Sequence, residues 1–160
     1  MKGKVHKLGN DINTDYVISG RYKFAITDPK ELGKHVFEDL DPELASNIKE
    51  GDFIVAGDNF GCGSSREQAP QALKATGIQA VIAKYFARIF YRNAINLGIP
   101  VIECAETDRI SDQDEIEIDL ASGEINNLTK NETYKCSKIP PHIMELVADG
   151  GLVPYLKKRV

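Results

Sequence analysis

Three short apolar runs, Phe53 to Ala56 (FIVA), Ala80 to Ala83 (AVIA) and Ile99 to Glu103 (IPVIE), are separated by two stretches of helical character. The first stretch, Ser64 to Thr76, carries helix formers and stops at Gly77. In the second, Phe86 to Leu97, the residues Phe86, Ile89, Phe90 and Ala94 recur at helical spacing before Gly98. Strands that alternate with helices imply right-handed crossovers and a parallel sheet, so the middle third of the chain predicts an α/β fold.

The flanking segments add to that frame. Gly3 to Leu8 is strand-like, and Gly9 to Thr14 (GNDINT) is rich in turn formers and reads as a polar loop. Between Ser19 and Gly33 the run from Tyr22 to Ile26 is aromatic and aliphatic, and reads as a loop with exposed apolar side chains. Asp28 and Pro29 after it can start a short helix at Lys30. Asp41 and Pro42 similarly open a helix-like stretch that Gly51 closes. Glu115 to Leu120 alternates polar and apolar residues, Ala121 to Gly123 supplies a turn, and Glu124 to Leu128 can return as the partner strand of a hairpin. Pro140 and Pro141 introduce a last helix, His142 to Asp149, ahead of Gly150, Gly151 and a basic tail, Lys157 to Arg159. With no internal repeat or low-complexity linker, residues 1–160 are expected to form a single domain, the hairpin being an added β layer.

Charge and cysteine usage narrow the functional classes. Twenty Lys and Arg against 24 Asp and Glu give a net charge of −4, the wrong sign for a nucleic-acid footprint. No apolar run approaches the roughly 20 residues of a membrane span. The start, MKGKVHKLGNDIN, lacks the apolar core of a secretory signal, so no membrane association and a cytoplasmic location are expected. Cys62, Cys104 and Cys136 form no CxxC pair, and His6, His35 and His142 lie far apart, read as surface or hydrogen-bonded residues. A metal held by this chain alone is not expected.

The densest chemistry lies in Asp58 to Pro70, DNFGCGSSREQAP. Gly57, Gly61 and Gly63 let the backbone turn sharply and approach a ligand. Ser64 with Glu67, or Ser65 with Gln68, forms a capping box for the helix that follows. Arg66 in a first helical turn works against the helix dipole. It is better explained by an anion, a carboxylate or phosphate, than by helix stability. The alternative is a plain capping box with Arg66 as a solvated charge. Nucleotide loops of the GxxxxGK[ST] or GxGxxG type do not match.

NFGCGSSRE, together with DINTDYVISGRY and TDPKELGKHVFED, resembles the small subunits of 3-isopropylmalate dehydratase (isopropylmalate isomerase), the free-standing counterpart of the swivelling domain of aconitase. The resemblance implies a β/β/α swivelling domain, a partly parallel sheet flanked by helices with an added β-hairpin layer. It implies a hydro-lyase of leucine biosynthesis, active only with a large subunit that carries a [4Fe-4S] cluster and helps form the active site, on a small dicarboxylate substrate. Residue by residue, it makes Ser64 the group that removes and returns the substrate proton, and Ser65 a hydroxyl that hydrogen-bonds substrate. It makes Arg66 the grip on a substrate carboxylate and Asp15 a catalytic aspartate facing the same cleft.

The resemblance also makes Tyr22, Lys23, Phe24, Ala25, Ile26 and Thr27 the loop that meets the substituent distinguishing substrates. Relatives acting on tricarboxylates place an arginine there; an apolar centre of Phe24, Ala25 and Ile26 suits an isopropyl or methyl group. Arg21 and Lys23 are near enough to turn inward, and Phe24 and Ile26 can equally be ordinary core residues. Gln68 stands where many relatives have histidine. Cys62, without a nearby base, reads as a packed loop residue. The expected activity is the isomerisation of 2-isopropylmalate to 3-isopropylmalate by dehydration and rehydration. The rivals are homoaconitate, 2,3-dimethylmalate or citramalate as substrate, or a non-catalytic anion-binding module.

Overall fold

In the computed structural model, which describes residues 1–22, 25–64 and 66–160, the three apolar runs become adjacent strands, the third of them at the edge of a sheet. The strands are β1 (Lys2–Lys7), β2 (Phe53–Val55), β3 (Ala80–Ala83), β4 (Val101–Glu103), β5 (Glu115–Asp119), β6 (Glu124–Asn127) and β7 (Glu132–Lys135). Among the described residues they run in the order β4-β3-β2-β1-β5-β6-β7. β1 to β4 pair in parallel, as the alternation of strand and helix requires, and β5 to β7 form an antiparallel meander.

β1 joins the two halves by changing partner along its length. Lys2, Gly3 and Lys4 pair antiparallel with Glu117, Ile116 and Glu115, whereas Val5, His6 and Lys7 pair in parallel with Phe53, Ile54 and Val55. A buried hydrogen bond of 2.7 Å between His6 Nε2 and Asp52 Oδ2 ties this strand to the start of β2.

Each face of the parallel strands is covered. Phe53, Val55, Ile82 and Ile102 pack with Ile116, Ile118, Ile125 and Tyr134, so the meander covers one face as a second β layer. Ile54, Val81 and Val101 pack on the other face with Val17, Leu32, Leu73, Phe90 and Ala94 of the helices. Burial on both faces is why β2 and β3 read as continuous apolar runs rather than alternating ones. Each such side chain contributes about 1.5–3 kcal/mol relative to an exposed one.

The helices are α1 (Thr14–Val17), α2 (Pro29–Gly33), α3 (Leu44–Asn47), α4 (Gln68–Ala75), α5 (Arg88–Asn96), α6 (Pro141–Ala148) and α7 (Leu152–Arg159). α2 starts as expected, with Asp28 accepting a hydrogen bond from the Lys30 amide. The polar loop 9–14 runs into α1, whose cap is Asn13, and the chain adds β7 and α7 beyond the expected hairpin and last helix.

The largest correction concerns α4. It begins at Gln68, four residues after Ser64, and its flanking residue Glu67 makes no side-chain cap. The Ser64–Glu67 capping box is therefore not formed, because Ser64 is held by other partners. Ser65 lies outside the described residues. No helix is long and apolar enough to cross a membrane among the described residues.

Candidate active site

The glycine-rich segment leaves β2 and is laced to the loop after β1 by backbone hydrogen bonds. Gly57 N–H donates to the Gly9 carbonyl (3.0 Å), Asp11 to Asp58 (2.9 Å), Gly61 to Ile12 (2.7 Å) and Thr14 to Cys62 (2.9 Å). This lacing places the start of α1, with Thr14 and Asp15, against Ser64 and Arg66, about fifty residues away in sequence. Gly61 has φ +83°, and a Cβ there would lie 2.4 Å from Phe90. Only glycine supplies both that backbone and that close approach.

Two groups hold Ser64. The buried Thr14 hydroxyl donates to the Ser64 carbonyl at 2.8 Å and lies 3.4 Å from its Oγ. Arg66 Nε donates to Ser64 Oγ at 3.1 Å. Arg66 Nη2 pairs with Asp15 Oδ1 at 2.7 Å, and Nη1 is buried without a hydrogen-bond partner among the described residues. The guanidinium is mostly, not fully, withdrawn from solvent, at 20% exposure, and its bonds go to Ser64 and Asp15 rather than to α4.

Thr14, Ser64 and Arg66 line a cavity of about 250 Å³, just below the usual range for small-molecule clefts; Asp15 is not among its lining residues and meets it only through Arg66. The cavity's other wall is the start of α5, Ala87 to Phe90 together with Asn93. Ala87 offers no side-chain cap, so the first backbone N–H groups of α5 are left for the cavity and the helix dipole there favours an anion. The helix tip at the site is therefore that of α5 as well as the segment leading into α4. The legible signal was the absence of Ser, Thr, Asp or Asn before Arg88. Ile89 stands 53% exposed at the cavity's edge.

Thr14 was missed in the sequence because its task depends on the lacing. Thr14→Val keeps the shape and removes the donor to the Ser64 carbonyl. We expect a loss of about 1–2 kcal/mol of stability, read in thermal unfolding.

Of the loop 22–27, expected to meet the substrate's substituent, only part lies within the described residues. Lys23 and Phe24 lie outside the described residues. Tyr22 stacks on His35, with ring centroids 4.2 Å apart, and its hydroxyl donates to Glu38 Oε2 at 2.5 Å. That hydrogen bond holds the Glu38 carboxyl below its ordinary range. Arg21 is drawn outward to Asp39 at 3.1 Å. Ala25 and Thr27 are exposed, and Ile26 is half-buried against the helix-side core. None of the loop's described residues lines the cavity.

The cysteines are free thiols. Burial raises the Cys104 thiol and pushes that of Cys136 up to about 11. Cys62 is half-buried in the loop, where its carbonyl receives Thr14. Among the described residues no three His, Cys, Asp or Glu side chains converge as a metal site.

The aconitase C-terminal domain family matches residues 26–107. The 3-isopropylmalate dehydratase small subunit 1 of Archaeoglobus fulgidus is 57% identical over 155 residues, 97% of this chain and 96% of that one. The small subunit of the same enzyme from Methanosarcina acetivorans is 54% identical over 160 residues, 100% of this chain and 98% of that one. A crystal structure of 3-isopropylmalate dehydratase from Methanocaldococcus jannaschii superposes with a TM-score of 0.94 at 54% identity, covering 99% of this chain and 93% of that one.

Proposed function

Because the chain belongs to the family of 3-isopropylmalate dehydratase small subunits, we propose that it is the small subunit of a two-subunit hydro-lyase that interconverts 2-isopropylmalate and 3-isopropylmalate. The observation that carries this reading is the approach of Arg66 Nε to Ser64 Oγ beside the Arg66–Asp15 ion pair, in a cavity sized for a small diacid.

Ser64 Oγ is the base that takes the proton from the substrate carbon next to the one losing hydroxide. An unassisted serine hydroxyl is far too weak an acid to supply an alkoxide. A charge-assisted hydrogen bond from Arg66 Nε and the uncapped start of α5 stabilise the anionic form. Arg66 also binds a substrate carboxylate, and Asp15 orients its guanidinium. After water loss gives the unsaturated diacid, the proton held on Ser64 returns to the other carbon as hydroxide adds to the first. A [4Fe-4S] cluster, which the large partner subunit rather than any residue of this chain would hold, would supply a Lewis acid for the departing hydroxide.

Ser65 is proposed as a further hydrogen-bonding group for substrate, and residues 22–27 as the wall that meets its isopropyl group. Ala25→Arg should raise the kcat/KM ratio for homoaconitate over isopropylmalate by about tenfold or more, since a third carboxylate then finds a charged partner. Competing substrate assays check this; an unchanged ratio removes Ala25 from the substrate wall.

The reading as a whole is tested by anaerobic reconstitution with the large subunit and a substrate panel followed through the absorbance of the unsaturated diacid. Turnover of 2-isopropylmalate that requires both subunits is expected. Preference for homoaconitate, 2,3-dimethylmalate or citramalate would reassign the substrate. Inactivity on the whole panel would leave an anion-binding module.

A further inference from the structure

Gly20 begins a short 3-10 turn, Gly20–Tyr22, and is not among the glycines with positive φ. Its backbone is therefore one that any residue can adopt, and conformation alone does not call for glycine there. Space does. A Cβ at position 20 would lie 3.0 Å from Arg66 Nη1, 3.1 Å from Nη2 and 3.4 Å from Cζ, so that its three nearest neighbours all belong to one guanidinium.

That guanidinium has little freedom to give way. Ser64 Oγ holds its Nε and Asp15 its Nη2, while Nη1 is buried. The crevice beside it, between Ile18, Ser19, Leu32 and Gln68, has no room for a water molecule. A methyl group at position 20 would displace the guanidinium by a few tenths of an ångström, out of line with Ser64 and Asp15.

We propose that Gly20 is a positioning residue for Arg66: its bare Cα is the surface against which the guanidinium lies flat, aligned to bind a carboxylate. This rests on Arg66 being the carboxylate-binding group of the proposed enzyme. The role is separate from that proposed for the neighbouring loop 22–27, because Gly20 acts through Arg66 rather than by touching substrate.

The test is Gly20→Ala in the reconstituted two-subunit enzyme, alone and combined with Arg66→Lys. We expect Gly20→Ala to raise KM for 2-isopropylmalate and lower kcat, together about tenfold in kcat/KM, because Nε faces Ser64 and Nη2 faces Asp15. With lysine at 66 the guanidinium is gone, so adding Gly20→Ala should lower kcat/KM no further. A second readout needs no turnover: nitrogen-15 NMR of the full small subunit, in which the Arg66 Nε–H signal is identified by its loss in Arg66→Lys. That signal should shift or broaden in Gly20→Ala while those of the other arginines stay in place.

An unchanged kcat/KM with an unchanged Arg66 signal overturns the proposal. Equal effects of Gly20→Ala in both backgrounds also overturn it, as does a variant that fails to fold, since the glycine would then serve the fold. Wild-type enzyme inactive on 2-isopropylmalate would overturn the functional reading, and the Nε–H signal would still report on Gly20.

Discussion

Ser64→Ala lowers kcat of the assembled enzyme by about 10³-fold or more, at the upper end of what a general base contributes. KM and subunit association change little, because the bond from Thr14 ends on the Ser64 carbonyl, which alanine retains. The measurement that isolates the role is exchange of the substrate's carbon-bound proton with deuterium from solvent. A base variant loses exchange and turnover together. Exchange that persists while turnover falls would assign the proton transfer to another group, and wild-type kcat would remove Ser64 from the reaction.

Arg66→Lys lowers kcat/KM by about 100-fold, the loss expected when charge-assisted hydrogen bonds go without a change of net charge. Lysine cannot donate to Ser64 Oγ and Asp15 from one planar group while binding a carboxylate. Because Nε faces Ser64 and Nη2 faces Asp15, the loss should divide between kcat and KM. A loss confined to KM would mean that Arg66 serves binding only, and unchanged constants would mean that it faces solvent in the working enzyme. Titrating the large subunit against the variant separates either outcome from failed assembly.

The parts of this architecture that were legible in the sequence are those whose signal is local. β2 and β3 announce themselves as apolar runs because both of their faces are covered, and α2 through Asp28 and Pro29, which act within a few residues. β7 was hidden: in ETYK only Tyr134 is buried, and one inward residue makes no alternation. α7 buries no residue, so it shows no apolar stripe. The GSSRE segment reads as an anion site from its composition, and its anion-binding role is proposed. The local rule that made Ser64 a helix cap failed there because a hydroxyl and a guanidinium reach it first, one of them from the loop after β1. Thr14 and the open start of α5 belong to the same class, side chains and backbone whose meaning comes from a distant partner. The roles proposed for Ser64, Arg66 and Asp15 come from the family resemblance, because local pattern does not assign them.

The divided allegiance of the first strand has a consequence for biosynthesis on the ribosome. Val5 to Lys7 find their neighbours once about the first third of the polypeptide has emerged, and the laced loops can assemble soon afterwards. Lys2 to Lys4 must wait for Glu115 to Glu117. Until then the nascent molecule displays an unsatisfied strand edge beside a nearly finished catalytic cradle. Such an edge is open to mispairing with other chains, and a translation arrest before residue 115 would leave it exposed.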